Sequence, residues 1–203
     1  SQEAKQLTLG PSVTTVTWFS GDAQVATKSL GERLWAVVQL NPWLAGSLVK
    51  SSGSLYLCWP EETKESEALA RLFNPTTSKR RSLVGKMRSS MGFSAQCNVV
   101  GGSAAEIPEG RSCIGNGAPL VAVSVVNCAE KPGKRFAVVY SLSHVITDGF
   151  TYYMLLSMLS SSGCEPRALS AKRKAGIVES TKEFVGADEF KFLNSNAVIC
   201  NVL

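Results

Sequence analysis

The chain has 203 residues, 44% of them hydrophobic and 18% charged, with a formal net charge of +5. That balance supplies the core of one large domain or two small ones and excludes a disordered chain. The modest positive charge does not by itself indicate a nucleic-acid partner. No apolar run is long enough for a membrane span, and residues 1–10 lack the basic-then-apolar build of a secretory signal.

Residues 13–19 are rich in Val, Thr and Trp and read as a strand. Ser20-Gly21-Asp22 punctuates, and Asp22 is suited to cap a helix. Ala26, Leu30, Leu34, Val37 and Val38 recur at helical spacing, and the helix should stop near Asn41-Pro42, because the residue before proline disfavours helical geometry. Residues 44–49 and 54–59 form an expected hairpin around Lys50-Ser51-Ser52-Gly53. Residues 61–73, acidic and then apolar, predict a short helix. Residues 74–117 carry a basic run (Lys79, Arg80, Arg81, Lys86, Arg88) and many Gly and Ser, and predict loops with one or two short elements.

Residues 119–127 and 135–143 are two buried strands joined by a turn at Glu130-Lys131-Pro132-Gly133. Residues 149–160 form a helix apolar nearly all round, which predicts burial rather than a surface position. Residues 161–189 are polar, a linker or crossover, and residues 190–203 turn apolar again. Trp18, Trp35, Trp43 and Trp59 fall in or beside these elements and are expected in the core. By periodicity alone the fold is α+β.

Six cysteines stand at 58, 97, 113, 128, 164 and 200, with no CxxC pair, and His144 is the single histidine. A Cys/His zinc site is therefore not expected. Cys58 and Cys128 lie in apolar strand contexts and are expected as buried thiols, while a Cys97–Cys113 disulfide stays open. A reducing compartment is favoured: the cytoplasm, or an organelle where a transit peptide has been removed.

The candidate site is His144-Val145-Ile146-Thr147-Asp148-Gly149, between the strand at 135–143 and the helix at 149–160. A histidine at a strand end is held by the sheet while its ring can face a cavity. Its neutral imidazole can take a proton from a hydroxyl, thiol or amine near pH 7. Asp148, across the turn, can fix it by pairing with an arginine or with backbone N–H groups. Gly149 permits close backbone approach at the helix start.

His144, Asp148 and Gly149 match HxxxDG, and here the chain resembles the chloramphenicol acetyltransferase-like superfamily, which includes the condensation domains of peptide synthetases and the plant BAHD acyltransferases. Asn41-Pro42-Trp43-Leu44-Ala45-Gly46-Ser47-Leu48 is similar to the P-x-L-A-G-R-L segment of BAHD-type enzymes, with Ser47 in place of the arginine. Leu193-Asn194-Ser195-Asn196 is similar to their S-T-N-D segment, with Ala197 where the acid would be. The later D-F-G-W-G motif is absent.

The resemblance implies an α/β fold: a mixed, largely antiparallel sheet with packed helices, one half of a two-lobed structure. It implies transfer of an acyl group from a thioester on coenzyme A or a carrier protein to a hydroxyl or amine, with no bound cofactor. His144 would be the general base, Asp148 the turn-holding residue (Arg33, Arg135 and Arg167 being candidate partners) and Gly149 the backbone opening. Residues 1–160 would be the N-terminal lobe, 161–189 the crossover and 190–203 the start of a second lobe. The missing wall would come from the chain's continuation, a neighbouring copy or another subunit.

The alternative is a non-catalytic relative serving as a structural or interaction subunit, since fold does not guarantee activity. A third reading sets the basic run against phosphates. A solvated loop is the commoner fate of such a run, so no nucleic-acid partner is expected.

Overall fold

Alternating Val and Thr make Val13–Ser20 the first strand, β1, of a computed structural model that describes residues 8–75, 86–160, 162–171, 182–184, 186 and 188. Gly21, at φ 131°, lets the chain reverse, and the Asp22 carboxylate accepts the Gln24 N–H at 2.7 Å to open helix α1, Ala23–Leu40. The helix ends at Asn41, ahead of Pro42, as the sequence requires.

Pro42–Ala45 is a 3-10 turn, so the hairpin begins later than expected, as β2 (Ser47–Ser51) and β3 (Ser54–Cys58). Lys50 and Ser51 belong to β2, and the turn itself is Ser52-Gly53, both at positive φ, the geometry of a tight two-residue hairpin. Helix α2 covers Glu65–Leu72, shorter than expected because Phe73–Asn74 pairs into a sheet as β4. Helix α3 (Phe93–Val100) and a 3-10 turn at Gly110–Cys113 supply the short elements expected in the glycine-rich stretch. Strands β5 (Val121–Asn127) and β6 (Arg135–Leu142) and helix α4 (Gly149–Leu159) follow.

The main sheet has the order β1-β6-β5-β4, antiparallel throughout except where β4 runs parallel to β5. The fold is thus a mixed α/β arrangement with a largely antiparallel sheet. Val121 and Val123 lie opposite Leu142 and Tyr140, and all four share a face with Leu34, Val37 and Val38 of α1 and Tyr152, Leu155 and Met158 of α4. Val126, Ala137 and Val139 point the other way, onto Met87, Val100 and Ala105. Both faces of β5 and β6 are therefore covered, which explains their continuous apolar runs. A slip of one residue would exchange the two faces, so the register is firmly set.

Two expectations need correction, and one left open is settled. Cys58 and Trp59 are exposed, because β3 alternates on a separate two-stranded sheet and Cys58 falls on its outward side with Tyr56. Helix α4 is buried on one side only: Phe150 is 73% and Tyr153 63% exposed. Cys97 and Cys113 are both free thiols, the first exposed and the second buried. Cys128 is buried as expected, as is Trp43, while Trp18 and Trp35 are half-buried.

The segment after α4 is tied down by polar clasps. Buried Asn41 donates to the Arg167 carbonyl at 2.9 Å and accepts the Leu169 N–H at 2.7 Å. Arg33 donates to the carbonyls of Met158 and Cys164 at 2.7 and 2.9 Å. Contacts divide the chain into two compact units, Ser1–Leu169 and Ser170–Leu203. In the second, a helical turn at 182–184 is described, and Phe184 is exposed. Among the described residues no helix is long and apolar enough to cross a membrane.

Candidate active site at the end of β6

β6 delivers the chain into a six-residue corner before α4. Buried Ser143 anchors it: its N–H donates to the Leu120 carbonyl at 2.9 Å, its carbonyl accepts the Ile146 N–H at 3.2 Å, and its Oγ accepts the Val145 N–H at 3.3 Å. His144 follows, half-buried, and its imidazole has no hydrogen-bond partner among the described residues. Val145 and Ile146 turn inward and pack on a buried cluster of Leu48, Ile107, Cys113, Leu120 and Ala122. The histidine is thus flanked by a hydrogen-bonded residue and an apolar wedge, while its own ring stays uncommitted.

Asp148 ends the corner in extended backbone and caps α4, accepting the Thr151 N–H at 2.8 Å. The hydrogen bonds from Thr151, with a smaller contribution from the charge of His144, hold its carboxyl below the usual carboxylate range. No arginine among the described residues forms an ion pair with it. The three candidates are engaged elsewhere: Arg33 with Glu165 and two carbonyls, Arg135 with Ser89 and over the Trp18 ring, Arg167 with Met154. Here the helix N-terminus does the work expected of an arginine. At Gly149 an added Cβ would meet nothing within 4 Å, so the described chain leaves open space at the helix start.

Sequence reasoning missed the brace under the corner. Gly110 lies against it so closely that an added Cβ would overlap Val145 Cγ2 and stand 3.2 Å from Thr8 Cα. Gly110 was one glycine among many in a stretch without periodicity, and nothing local sets it apart. Tyr152 of α4 donates its hydroxyl to the Tyr140 carbonyl of β6 at 3.0 Å and lies 2.9 Å from Thr15 Oγ1 of β1. Burial pushes its pKa up to about 12, so it is a packed anchor, while Tyr153 is exposed.

Within the Asn41–Leu48 segment, Trp43, Leu44 and Ala45 join the main core and Leu48 joins the cluster under Val145 and Ile146. Gly46 is required there: an added Cβ would be 2.9 Å from the Trp43 carbonyl and 3.0 Å from that of Cys58. At Ser47 the hydroxyl receives Nη2 of Arg71 at 2.7 Å. Leu193–Asn196, the segment resembling S-T-N-D, lies outside the described residues, as do Lys79, Arg80 and Arg81. A cleft of about 550 Å³ between α1, α4 and the sheet is lined by Phe19, Leu30, Phe136 and Leu156 and does not include His144. Among the described residues no group of three or more His, Cys, Asp or Glu could hold a metal ion.

No family model matches the chain, and no curated protein matches it. Among solved structures, one described as the molecular basis for condensation domain-mediated chain release from the enacyloxin polyketide synthase is similar to it. The TM-score is 0.48 and the identity 19%, over 85% of this chain and 32% of that one. The chain therefore spans about a third of the length of that structure.

Proposed function

We propose that this chain carries the HxxxDG lobe of an acyltransferase, in which His144 is the general base for attack on an acyl thioester. The observation that carries this reading is a half-buried imidazole with no partner in the described chain, held between an anchored Ser143 and a wedged Val145 beside open space at Gly149. An ordinary structural histidine in a tight turn would spend a ring nitrogen on a backbone carbonyl.

In the proposed step His144 takes the proton from an acceptor hydroxyl or amine as its oxygen or nitrogen attacks the thioester carbonyl. The C–S bond then breaks, and the leaving thiolate takes the proton from the imidazolium. No acyl-enzyme forms. Asp148 serves by capping α4 and fixing the corner. Coenzyme A or a carrier protein bears the acyl group, and a second lobe, from the chain's continuation, a neighbouring copy or another subunit, supplies the opposite wall.

The test is release of free thiol from acetyl-coenzyme A and longer acyl-coenzyme A esters in the presence of hydroxyl and amine acceptors. His144→Ala is expected to lower the rate by about a hundredfold or more, the scale of general base catalysis, with an unchanged circular dichroism spectrum. Equal rates in the two proteins would remove His144 from the chemistry. A second reading, an interaction subunit on the same fold, draws on the apolar surface that Phe150 and Tyr153 leave on α4. It predicts no acceptor-dependent thiol release from the unaltered chain.

A further inference from the structure

Arg71 stands at the end of α2, and its Nη2 donates to three oxygens: the Gly46 carbonyl at 3.1 Å, Ser47 Oγ at 2.7 Å and the Ala118 carbonyl at 3.1 Å. The first two open β2, and the third leads into β5. Its Nε is buried without a partner, and no carboxylate pairs with it among the described residues. Burial accordingly lowers its pKa. A half-buried cation whose Nε lacks a partner and whose Nη2 meets only neutral oxygens among the described residues is a costly way to join two strands. Such a position is better explained by what it holds in place than by net stability.

What it holds is the ground under His144. Two residues beyond Ala118, the Leu120 carbonyl accepts the N–H of Ser143, the residue before His144. Next to Ser47, Leu48 joins Leu120 in the cluster on which Val145 and Ile146 pack. Both flanks of His144 are therefore set by segments that meet at one guanidinium nitrogen. Ser47 opens β2, and the guanidinium that reaches its hydroxyl comes from helix α2, so one side chain joins a strand, a helix and the approach to β5.

We propose that Arg71 is the positioning residue of the His144 corner, its guanidinium tying the start of β2 to the approach to β5. The inference rests on the reading of His144 as the base, but its main test needs no turnover. His144 is the only histidine, so its imidazole gives a single set of proton NMR signals in the full chain. In Arg71→Ala those signals should shift and broaden, while the indole N–H of Trp18, at the opposite end of the sheet beside Ala137, stays in place. Adding Ser47→Arg to that variant should restore the His144 signals. Ser47→Ala, a milder change, should move them in the same direction by less, and it decides the matter if Arg71→Ala does not fold.

With whichever acyl-coenzyme A the unaltered chain turns over, Arg71→Ala should lower kcat by roughly tenfold or more, as a small misplacement of a base does, with KM within about twofold. Unchanged His144 signals in a folded Arg71→Ala chain, or failure of Ser47→Arg to restore them, would overturn the assignment. Absence of turnover in the unaltered chain would instead count against the acyltransferase reading, and the NMR result would still decide the role of Arg71.

Discussion

Two strands of the same sheet each feed a helix that packs on the same face, and the two corners are built differently. Between β1 and α1 the chain uses two residues, Gly21 and Asp22, both exposed. Between β6 and α4 it uses six, and Ser143 and Thr147 among them are buried. Both corners end in an aspartate that caps the helix through a backbone N–H, at 2.7 and 2.8 Å. The short corner shows what the connection needs. The other four residues are surplus to connectivity, and they hold a histidine in one attitude while leaving its ring uncommitted. The contrast sets a cap that serves only a helix beside a cap that, in the proposed reading, also closes a site.

The sharpest way to break the contrast is at the brace. Gly110→Ala forces a methyl group onto Val145 and should cost about 1–3 kcal/mol, as overpacking does, and it should shift the His144 NMR signals. Gly21→Ala, strained by its positive φ, should cost about 1 kcal/mol and leave those signals alone; a shift there would mean the corners are not independent. Asp22→Ala and Asp148→Ala should each cost about 1 kcal/mol as lost caps, measured by urea unfolding. Only the second should disturb His144. Equal disturbance, or none, would deny the second cap any role in the site.

The smallest expected effect is a dependence on pH. Hydrogen bonds depress the Asp148 pKa in the folded chain, so its stabilisation is complete above the unfolded carboxyl value of roughly 4. It fades as the pH falls through the lower folded value. Asp148→Asn should therefore narrow its deficit in melting temperature against the unaltered chain as the pH drops from about 6 to about 2. A deficit that stays constant over that range would show that the charge of Asp148 adds nothing to its cap.

Much of this fold was legible in the sequence because its signals are local. Asp22, the 3.6-residue spacing from Ala26 to Val38 and Asn41-Pro42 mark both ends of α1, and the paired apolar runs mark β5 and β6. The helix expected at 149–160 was visible, and Gly149–Leu159 forms it, but its exposed face was not, because an even apolar distribution gives no side to point outward. The motif itself could be read, whereas its supports could not. Gly110 and Leu120 reach the His144 corner from distant parts of the chain, and contacts of that kind leave no periodic trace. Among the described residues the partner of Asp148 is a backbone N–H and not Arg33, Arg135 or Arg167, and a backbone N–H has no letter in the sequence.

The order of strands also bears on how the lobe is assembled. β5 and β6 are joined by a short turn, so their pairing closes a small loop and can form early. β1 must wait, since Val13 lies opposite Leu142 with nearly the whole described lobe between them in sequence. During synthesis β1, the earliest of that antiparallel trio to be made, is thus the last of the three to find its partner. Until it does, one face of Tyr140, whose ring packs 5.0 Å from that of Tyr152, lacks the strand beside it, and the Tyr152 hydroxyl lacks Thr15. The histidine corner therefore gains its final rigidity only when β1 joins β6 from far away in sequence.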